Sequence, residues 1–399
     1  MRFMMNPWLS RLVITVWYGL AVSHLWPPAS VVHGTTIHGY RLWAFGHLAY
    51  SDIFALYQNH RFYTRAFPYV KTPVEYPVLM GVLMWAVSAV TTSAKGFFAV
   101  TAALLWLAAL ASYQYFRRVS PAVAGAFAWN PLLLVYGLLN WDMLGILWLL
   151  IAHDAYRRHR YRLSAAFWAA AVFFKFFPVF FLLPLAAALW RPPHRALFWR
   201  MLGVFSLTAA IVNLPFALLN WNNWSLFFTF NAARPVAGDL WNNAFVHLAS
   251  PRVVDLASLA VVLAAYLLVL KNLPRPWSVE AGAAFFFAVF LVVNKVFSPQ
   301  YMLWLTAFGL LAGWPPWASI LLALAGLVDY VNSLAMMYLT LVPGDADAAR
   351  WYGATLYQVG LFLRYSSLTA VIGGSLEKLA ILPGRRASLV SPRTPADER

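Results

Sequence analysis

Asp52 is the carboxylate whose sequence setting most strongly suggests chemistry. Asp and Glu together supply only 13 of the 399 residues, so each acidic side chain calls for an explanation. Asp52 lies in the segment Tyr50-Ser51-Asp52-Ile53, close to the aromatic residues Phe54 and Tyr57. Just outside the first apolar run, a carboxylate is well placed to act as a general base for an attacking hydroxyl at the boundary of water and lipid. The alternative is that Asp52 only caps the start of a helix.

Two lysines interrupt apolar runs at breaks that contain proline. Lys175 lies in Phe-Phe-Lys175-Phe-Phe-Pro178, and Lys295 lies in Asn294-Lys295-Val-Phe-Ser298-Pro299. A charge at membrane depth is costly and usually functional, and a proline there frees backbone groups. We expect both lysines to face one outward-opening cavity and to bind one anion, a phosphate carried on a lipid. The alternative is that each lysine extends to the membrane surface or pairs with a nearby carboxylate.

Other polar residues adjoin the same breaks and the segment after Asp52. Asn140 and Asp142 precede an apolar run, and Glu75 with Tyr76 precedes Pro77. Each of the two carboxylates can simply stabilise a helix N-terminus. The alternative for Asp142 is that it orients a sugar hydroxyl or a lysine of the cavity.

A second polar segment, residues 220–252, contains a further cation, Arg234. This segment also contains Asn242 and Asn243, and we expect it to cover the site as a lid; the alternative is a solvated loop. Its tryptophans can stack on sugar faces or lie in an interfacial belt, and they are Trp221, Trp224 and Trp241. Four histidines of the first polar segment lack the spacing of metal ligands, so no metal is assigned to them: His33, His38, His47 and His60.

The elements that hold these residues are predicted to be membrane-spanning helices. The chain is 62% hydrophobic and 11% charged, whereas soluble domains carry about 25% charged residues. The composition therefore predicts an all-α, multi-pass membrane protein, and the absence of cysteine excludes disulfides and thiol chemistry. Apolar runs predict twelve crossings, at 9–26, 97–116, 121–139, 141–156, 162–175, 177–190, 197–219, 253–270, 280–297, 299–313, 316–336 and 355–376.

Charge placement predicts the orientation of these crossings. Arginine-rich turns such as 157–162 and 191–200 are expected to be cytoplasmic, as are both termini. This assignment makes Pro77–Thr92 an interfacial or re-entrant helix on the outside. The domain prediction is a membrane domain over 1–382, with outer loops at 27–96 and 220–252 and a disordered cytoplasmic tail at 383–399. The net charge of +16 is attributed to this topology and to anionic lipids rather than to nucleic acid.

The order of four motifs resembles that of glycosyltransferases with the GT-C fold, which use polyprenyl-phosphate sugars. Over roughly residues 1–310 the chain is most similar to glycosyltransferase family 87, the bacterial mannosyltransferases of the phosphatidylinositol-mannoside type. The first mannosyltransferase of eukaryotic glycosylphosphatidylinositol synthesis is a more distant likeness. The motifs are Tyr50-Ser51-Asp52-Ile53, Glu75-Tyr76-Pro77-Val78-Leu79, Lys175-Phe-Phe-Pro178 with Asn140-Trp-Asp142 upstream, and Asn294-Lys295-Val-Phe-Ser298-Pro-Gln300-Tyr301.

The resemblance implies an inverting transferase in a cell membrane, most naturally a bacterial plasma membrane, with its site on the extracytoplasmic side. It would move a sugar, with mannose favoured and arabinofuranose possible, from a polyprenyl monophosphate to a hydroxyl of a lipid-linked or cell-envelope glycan. Asp52 would be the base. Lys175, Lys295 and Arg234 would bind the donor phosphate. The residues expected to orient the sugar or support these groups are Glu75, Tyr76, Asn140, Asp142, Ser298, Gln300 and Tyr301.

Neither a metal nor any other cofactor is expected. Phe54 stands where the eukaryotic enzyme carries a second aspartate, and a phenylalanine cannot ligate a cation. A transporter or flippase of a lipid-linked sugar is the alternative function, since broken helices and buried lysines also serve transport. The roles of Asp329, Asn332 and Arg364 in the last crossings stay open.

Overall fold

The computed structural model describes residues 6–32, 37–190, 192–236, 250–272, 278–342 and 346–380. All regular elements in these ranges are helical. The predicted tail at 383–399 lies outside the described residues, as do His33, Trp241, Asn242 and Asn243.

The helices of the first half include the outer segment between the first two long helices. They are α1 (Pro7–Leu25), α2 (Ala29–Val32), α3 (Ile37–Gly46), α4 (Asp52–Asn59), a 3-10 turn (Phe62–Thr64), α5 (Val78–Ala89), α6 (Ala94–Val119), α7 (Pro121–Ala128), α8 (Leu132–Tyr136), α9 (Asp142–Arg157) and α10 (Tyr161–Phe174).

The second half continues the helical pattern. Its helices are α11 (Val179–Leu189), α12 (Arg195–Leu219), α13 (Trp221–Ala233), α14 (Pro251–Asn272), α15 (Val279–Val293), α16 (Tyr301–Leu311), α17 (Pro316–Leu341), α18 (Ala346–Ala354) and α19 (Leu356–Ala380).

Five helical stretches of the described chain are long and apolar enough to cross a membrane. They are Ala94–Val119, Arg195–Leu219, Pro251–Asn272, Trp317–Leu341 and Ala346–Leu379, and shorter apolar helices accompany them. Their number and composition confirm the prediction of a multi-pass, all-helical membrane protein. Two predicted spans are not continuous helices. Residues 121–139 form α7 and α8 with a break at Asn130 and Pro131, and the predicted span at 280–297 runs past the end of α15 at Val293.

Helix α9 lies in the middle of the packing that positions the polar residues. It packs against α6 and α10, and α10 in turn packs against α12. Helix α15 is buried along most of its length and contacts α11, α14, α16 and α19.

Helices α12 and α14 expose most of their apolar surface. On α12, Leu207 is 61% exposed, Ile211 is 65% exposed and Leu218 is 77% exposed. Exposure of so continuous an apolar surface to water is unfavourable, whereas its contact with lipid tails is not. These two helices therefore form a lipid-facing side of the molecule.

Candidate functional site

Backbone contacts hold the segment before α4 against the turn before α9. The Ser51 hydroxyl donates to the carbonyl of Leu138 at 2.7 Å, and the Asp52 amide donates to the carbonyl of Leu139 at 2.8 Å. Tyr40 reinforces this junction, because its hydroxyl donates to the Ser51 carbonyl. The next residue of the turn, Asn140, is thereby placed opposite Asp52.

Both oxygens of the Asp52 carboxylate accept side-chain hydrogen bonds. Tyr50 donates its hydroxyl to Oδ1 at 2.8 Å, and Asn140 donates its amide to Oδ2 at 2.8 Å. The cap of α4 is Ser51, whose hydroxyl accepts from the Ile53 amide. The alternative in which Asp52 serves as the helix cap is therefore wrong, because Ser51 occupies the cap position.

Lys175 meets the same asparagine from the break between α10 and α11. The helix ends at Phe174 and the Lys175 backbone is extended, so the side chain leaves the helix axis. Its Nζ lies 3.3 Å from Asn140 Oδ1 and 3.0 Å from Asp142 Oδ1, and the side chain is only 9% exposed. Lys175 is thus paired with a carboxylate, which was the alternative left open for it.

Asp142 is held from a second side by the indole of Trp304. The Trp304 Nε1 donates to Asp142 Oδ1 at 2.8 Å, and the carboxylate is completely buried. Gly145, one turn further along α9, makes room for both neighbours. A Cβ at this position would lie 2.8 Å from the Trp304 ring and 3.1 Å from the Lys175 Cβ.

Tyr76 completes the arrangement. Its hydroxyl accepts from Asn140 Nδ2 at 3.1 Å, and Lys175 Nζ lies 5.2 Å from the centre of its ring. We call the connected side chains the Asp52 cluster: Tyr50, Asp52, Tyr76, Asn140, Asp142, Lys175 and Trp304.

The Asp52 cluster contains two carboxylates and one lysine. Burial raises the pKa of the Asp52 carboxyl above its ordinary value. The hydrogen bonds from Tyr50 and Asn140 and the charge of Lys175 act against this increase, while the charge of Asp142 adds to it. Asp52 is therefore the carboxylate of the cluster that lacks a cation in direct contact, and its elevated pKa suits a group that accepts a proton.

Glu75 lies beside the Asp52 cluster and contacts His60. The His60 Nε2 is 2.8 Å from Glu75 Oε2. Burial acts to raise the pKa of Glu75, but the contact with His60 and the charge of Arg234 outweigh it and leave the pKa below its usual value. Helix α5 starts at Val78 with Pro77 as its cap, so Glu75 does not form the first turn of that helix.

Arg234 follows the last turn of α13 and lies near enough to Glu75 to lower its pKa. Its side chain is half-buried, and no carboxylate of the described residues approaches it within 4.0 Å. Among the described residues, the guanidinium of Arg234 therefore forms no ion pair.

Lys295 lies outside the Asp52 cluster. Its Nζ is 2.7 Å from Asp255 Oδ2 of α14 and 2.9 Å from the carbonyl of Ala232 of α13. The second lysine is thus also paired with a carboxylate. Ala232 is two residues before Arg234, so Lys295 contacts the C-terminal end of α13, the helix that Arg234 follows.

The remaining predicted residues lie at the break between α15 and α16. Gln300 is buried and precedes α16, Ser298 is half-buried, and the Tyr301 ring packs edge-on against Phe177 at 4.6 Å. Phe177 is two residues after Lys175, so Tyr301 adjoins the Lys175 break rather than the Asp52 carboxylate. The roles of these three residues stay predictions.

In the second outer segment, α13 docks onto the first. The side chains of Asn220 and Asn223 both donate to the Val70 carbonyl, at 3.2 Å and 3.3 Å. The Trp221 and Trp224 rings pack against each other at 4.9 Å, and Trp221 is 61% exposed. The same helix leads to Arg234, whose charge lowers the pKa of Glu75.

Three residues of these contacts were not singled out from the sequence as partners. Tyr50 belongs to the Asp52 motif but was given no role of its own, and Trp304 lies in an apolar run with nothing to distinguish it. Asp255 did carry a signal, since a carboxylate within a predicted span usually has a partner. That partner is Lys295.

No group of three or more His, Asp or Glu side chains in the described ranges could hold a metal ion. Neither a scan against protein-family models nor a search of the curated proteins finds a match for this chain.

Proposed function

We propose that this protein is an inverting glycosyltransferase with twelve membrane crossings and the GT-C architecture. It uses a polyprenyl-phosphate sugar, with mannose favoured, and acts on the extracytoplasmic side of the membrane. The observation that carries the proposal is the Asp52 carboxylate, which is half-buried, has a raised pKa and lies one asparagine away from a buried lysine.

In the proposed reaction, Asp52 takes the proton from an acceptor hydroxyl as its oxygen attacks the anomeric carbon of the sugar. The bond between that carbon and the phosphate oxygen breaks, and the polyprenyl phosphate leaves with the electron pair. A single attack from the opposite face inverts the anomeric configuration. One carboxylate suffices for this chemistry, since the leaving group needs charge stabilisation rather than a proton.

The charge balance of the site supports different duties for the three cations. Lys175 forms an ion pair with Asp142 and donates a hydrogen bond to Asn140. Its main effect is therefore to orient the Asn140 amide and to favour the ionised form of Asp52. Arg234 has no such partner among the described residues and lies beside Glu75. We therefore assign the first contact with the donor phosphate to Arg234, with Lys295 and Lys175 as its neighbours.

The location of the cluster fits a lipid-linked donor. Helices α12 and α14 present apolar surface to lipid, and α13 joins the end of α12 to the Lys295 region. A polyprenyl chain could lie along this side while its phosphate reaches the cations. The acceptor is proposed to be a lipid-linked or cell-envelope glycan.

The test uses the purified protein with a short-chain polyprenyl-phosphate-mannose and a phosphatidylinositol-mannoside acceptor. Product formation in detergent that is lost in Asp52→Asn supports the transferase. Movement of the sugar lipid across liposomes by both the wild type and Asp52→Asn, without product, would instead identify a transporter. Absence of both activities with mannose and with arabinofuranose donors would contradict the proposal.

The same assay tests whether a metal takes part. We expect excess EDTA to leave turnover within about twofold of the untreated rate, because one base and fixed cations can carry the step. A complete loss that Mg²⁺ restores would show that this part of the proposal is wrong.

A further inference from the structure

A cavity of about 450 Å³ lies at the opposite end of α9 from the Asp52 cluster. Helix α9 contains 16 residues, from Asp142 to Arg157, and a helix rises about 1.5 Å per residue. The cavity is therefore separated from the cluster by most of the length of a short span. It opens between the turn that joins α9 to α10 and the first turns of α12, and its lining residues are His159, Arg160, Tyr161, Arg162, Leu163, Leu197, Arg200 and Met201.

Three arginines in the lining lack carboxylate partners. Arg160 and Arg162 come from the turn and the start of α10, and Arg200 comes from α12. In the part of the chain that the structure describes, no carboxylate lies within 4.0 Å of any of them. The nearby Asp154 is already engaged, because Arg158 Nε contacts it at 2.7 Å. All three arginines are exposed, so the cavity presents a positively charged rim that no carboxylate of the described residues pairs with.

The start of α10 adds further donors for an anion. Its cap residue, Arg160, makes no side-chain hydrogen bond to the first turn. The first amides of a helix have no acceptor within the helix, and the helix dipole favours negative charge at this end. Residues 161–163, which supply these amides, belong to the cavity lining. Three exposed arginines and a helix N-terminus therefore line the same open cavity.

The surroundings of the cavity match the surface of a membrane. Leu163 is 45% exposed and lies in the lining beside Leu197 and Met201. Trp190 and Trp199 flank the start of α12 and are 48% and 55% exposed. Exposed tryptophans of this kind mark the boundary between lipid and water. A ligand in the cavity would have its anionic part beside the arginines and apolar chains beside the leucines.

We propose that this cavity binds the phosphate of an anionic phospholipid, such as phosphatidylglycerol, from the leaflet opposite the Asp52 cluster. The shared chemistry is that of a phosphate anion, and the adjoining apolar surface assigns it to a lipid rather than to free phosphate. The site is separate from the proposed donor site, because it lies at the other end of α9.

Spin-labelled lipids provide the test. The protein is reconstituted in phosphatidylcholine, and the bound fraction of spin-labelled phosphatidylglycerol is compared with that of spin-labelled phosphatidylcholine by electron paramagnetic resonance. We expect an association constant higher by about tenfold for phosphatidylglycerol at low salt, and a decrease to about twofold in Arg162→Gln/Arg200→Gln. The matched control is Arg117→Gln/Lys271→Gln, which removes the same charge from exposed positions outside the lining and should retain the preference.

Three results would overturn the inference. One is a preference that both double variants retain, and another is a preference that both lose equally. The third is displacement of the labelled lipid by millimolar inorganic phosphate at matched ionic strength, which would identify free phosphate as the ligand. If the double variant fails to fold, the single variant Arg200→Gln replaces it, with an expected decrease of about threefold.

Discussion

The Asp52 cluster and the buried pair of Asp329 and Arg364 place charge inside the same apolar protein in opposite ways. Asp329 of α17 and Arg364 of α19 are 0% and 1% exposed, and Arg364 Nε donates to Asp329 Oδ1 at 2.9 Å. The guanidinium also lies 4.4 Å above the Phe297 ring. Here one anion is matched by one cation, and both are shut away from solvent.

The Asp52 cluster is not matched in this way. Lys175 neutralises Asp142, and Asp52 is left with hydrogen bonds from two neutral side chains. A buried pair with complete charge compensation joins two helices, whereas an uncompensated and partly accessible carboxylate can exchange a proton. The comparison teaches that the imbalance of charge, rather than burial itself, marks the candidate site.

The largest effect is expected from Asp52→Asn. The amide keeps the size of the side chain but cannot accept a proton, so turnover should fall on the order of 10³-fold in the transferase assay. The free energy of unfolding in detergent should change by only about 1 kcal/mol, since the neighbouring side chains can still form hydrogen bonds to the amide. Asp347→Asn is the control, because Asp347 is 93% exposed in a pair with Arg350 and should leave turnover unchanged.

Substitutions in the pair of Asp329 and Arg364 should change the free energy of unfolding rather than turnover. Arg364→Met removes the cation and leaves Asp329 buried without it, which should lower the free energy of unfolding by about 3–5 kcal/mol. The double variant Asp329→Leu/Arg364→Met removes both charges and should recover most of that loss. The measurement is unfolding in detergent, with turnover normalised to folded protein. A large loss of normalised turnover in the double variant would show that the pair takes part in the reaction.

Much of the helical pattern could be predicted from the sequence. Breaks were expected at Lys175 and at Lys295, where a polar residue is followed by a proline, and helices α10 and α15 end at Phe174 and Val293. The predicted interfacial helix at Pro77–Thr92 corresponds to α5, Val78–Ala89. The run at 121–139 was misread as continuous, since hydropathy does not register the break at Pro131.

The partners of the charged side chains could not be predicted from the sequence. Lys175 meets Asn140 because Gly145 lets the Lys175 break approach α9, and a close approach between helices leaves no mark on hydropathy. Lys295 was expected to join Lys175 at one anion, but its pairing with Asp255 depends on how α14 packs against α15. The sequence identified the polar residues of the candidate site, but only the packing of the helices shows that Lys175 and Lys295 belong to separate clusters.

Removal of the cation from the Asp52 cluster tests how far that cluster depends on charge. The positive charge of Lys175 lowers the pKa of Asp52, so Lys175→Met should raise it further. A base must be ionised, and the acidic limb of the kcat/KM profile should therefore move to higher pH, with turnover at neutral pH lower by about tenfold. Lys175→Met/Asp142→Asn removes two opposing charge effects and should return the limb toward the wild-type position. If the acidic limb of the kcat/KM profile stays in place in both variants, the charge of Lys175 does not affect the pKa of Asp52.

The smallest expected effect comes from Tyr50→Phe. The Tyr50 hydroxyl donates to Asp52 Oδ1 and so favours its ionised form. Without it the pKa of Asp52 should rise and the acidic limb should move to higher pH. We expect kcat/KM at neutral pH to be lower by about threefold, or about 0.7 kcal/mol, which is in the range of one ordinary intramolecular hydrogen bond. Tyr57→Phe is the matched control, because Tyr57 lies on α4 but does not bind the carboxylate, and its profile should not move. Equal shifts in the two variants would mean that packing around α4, and not the hydrogen bond, sets the proton affinity of Asp52.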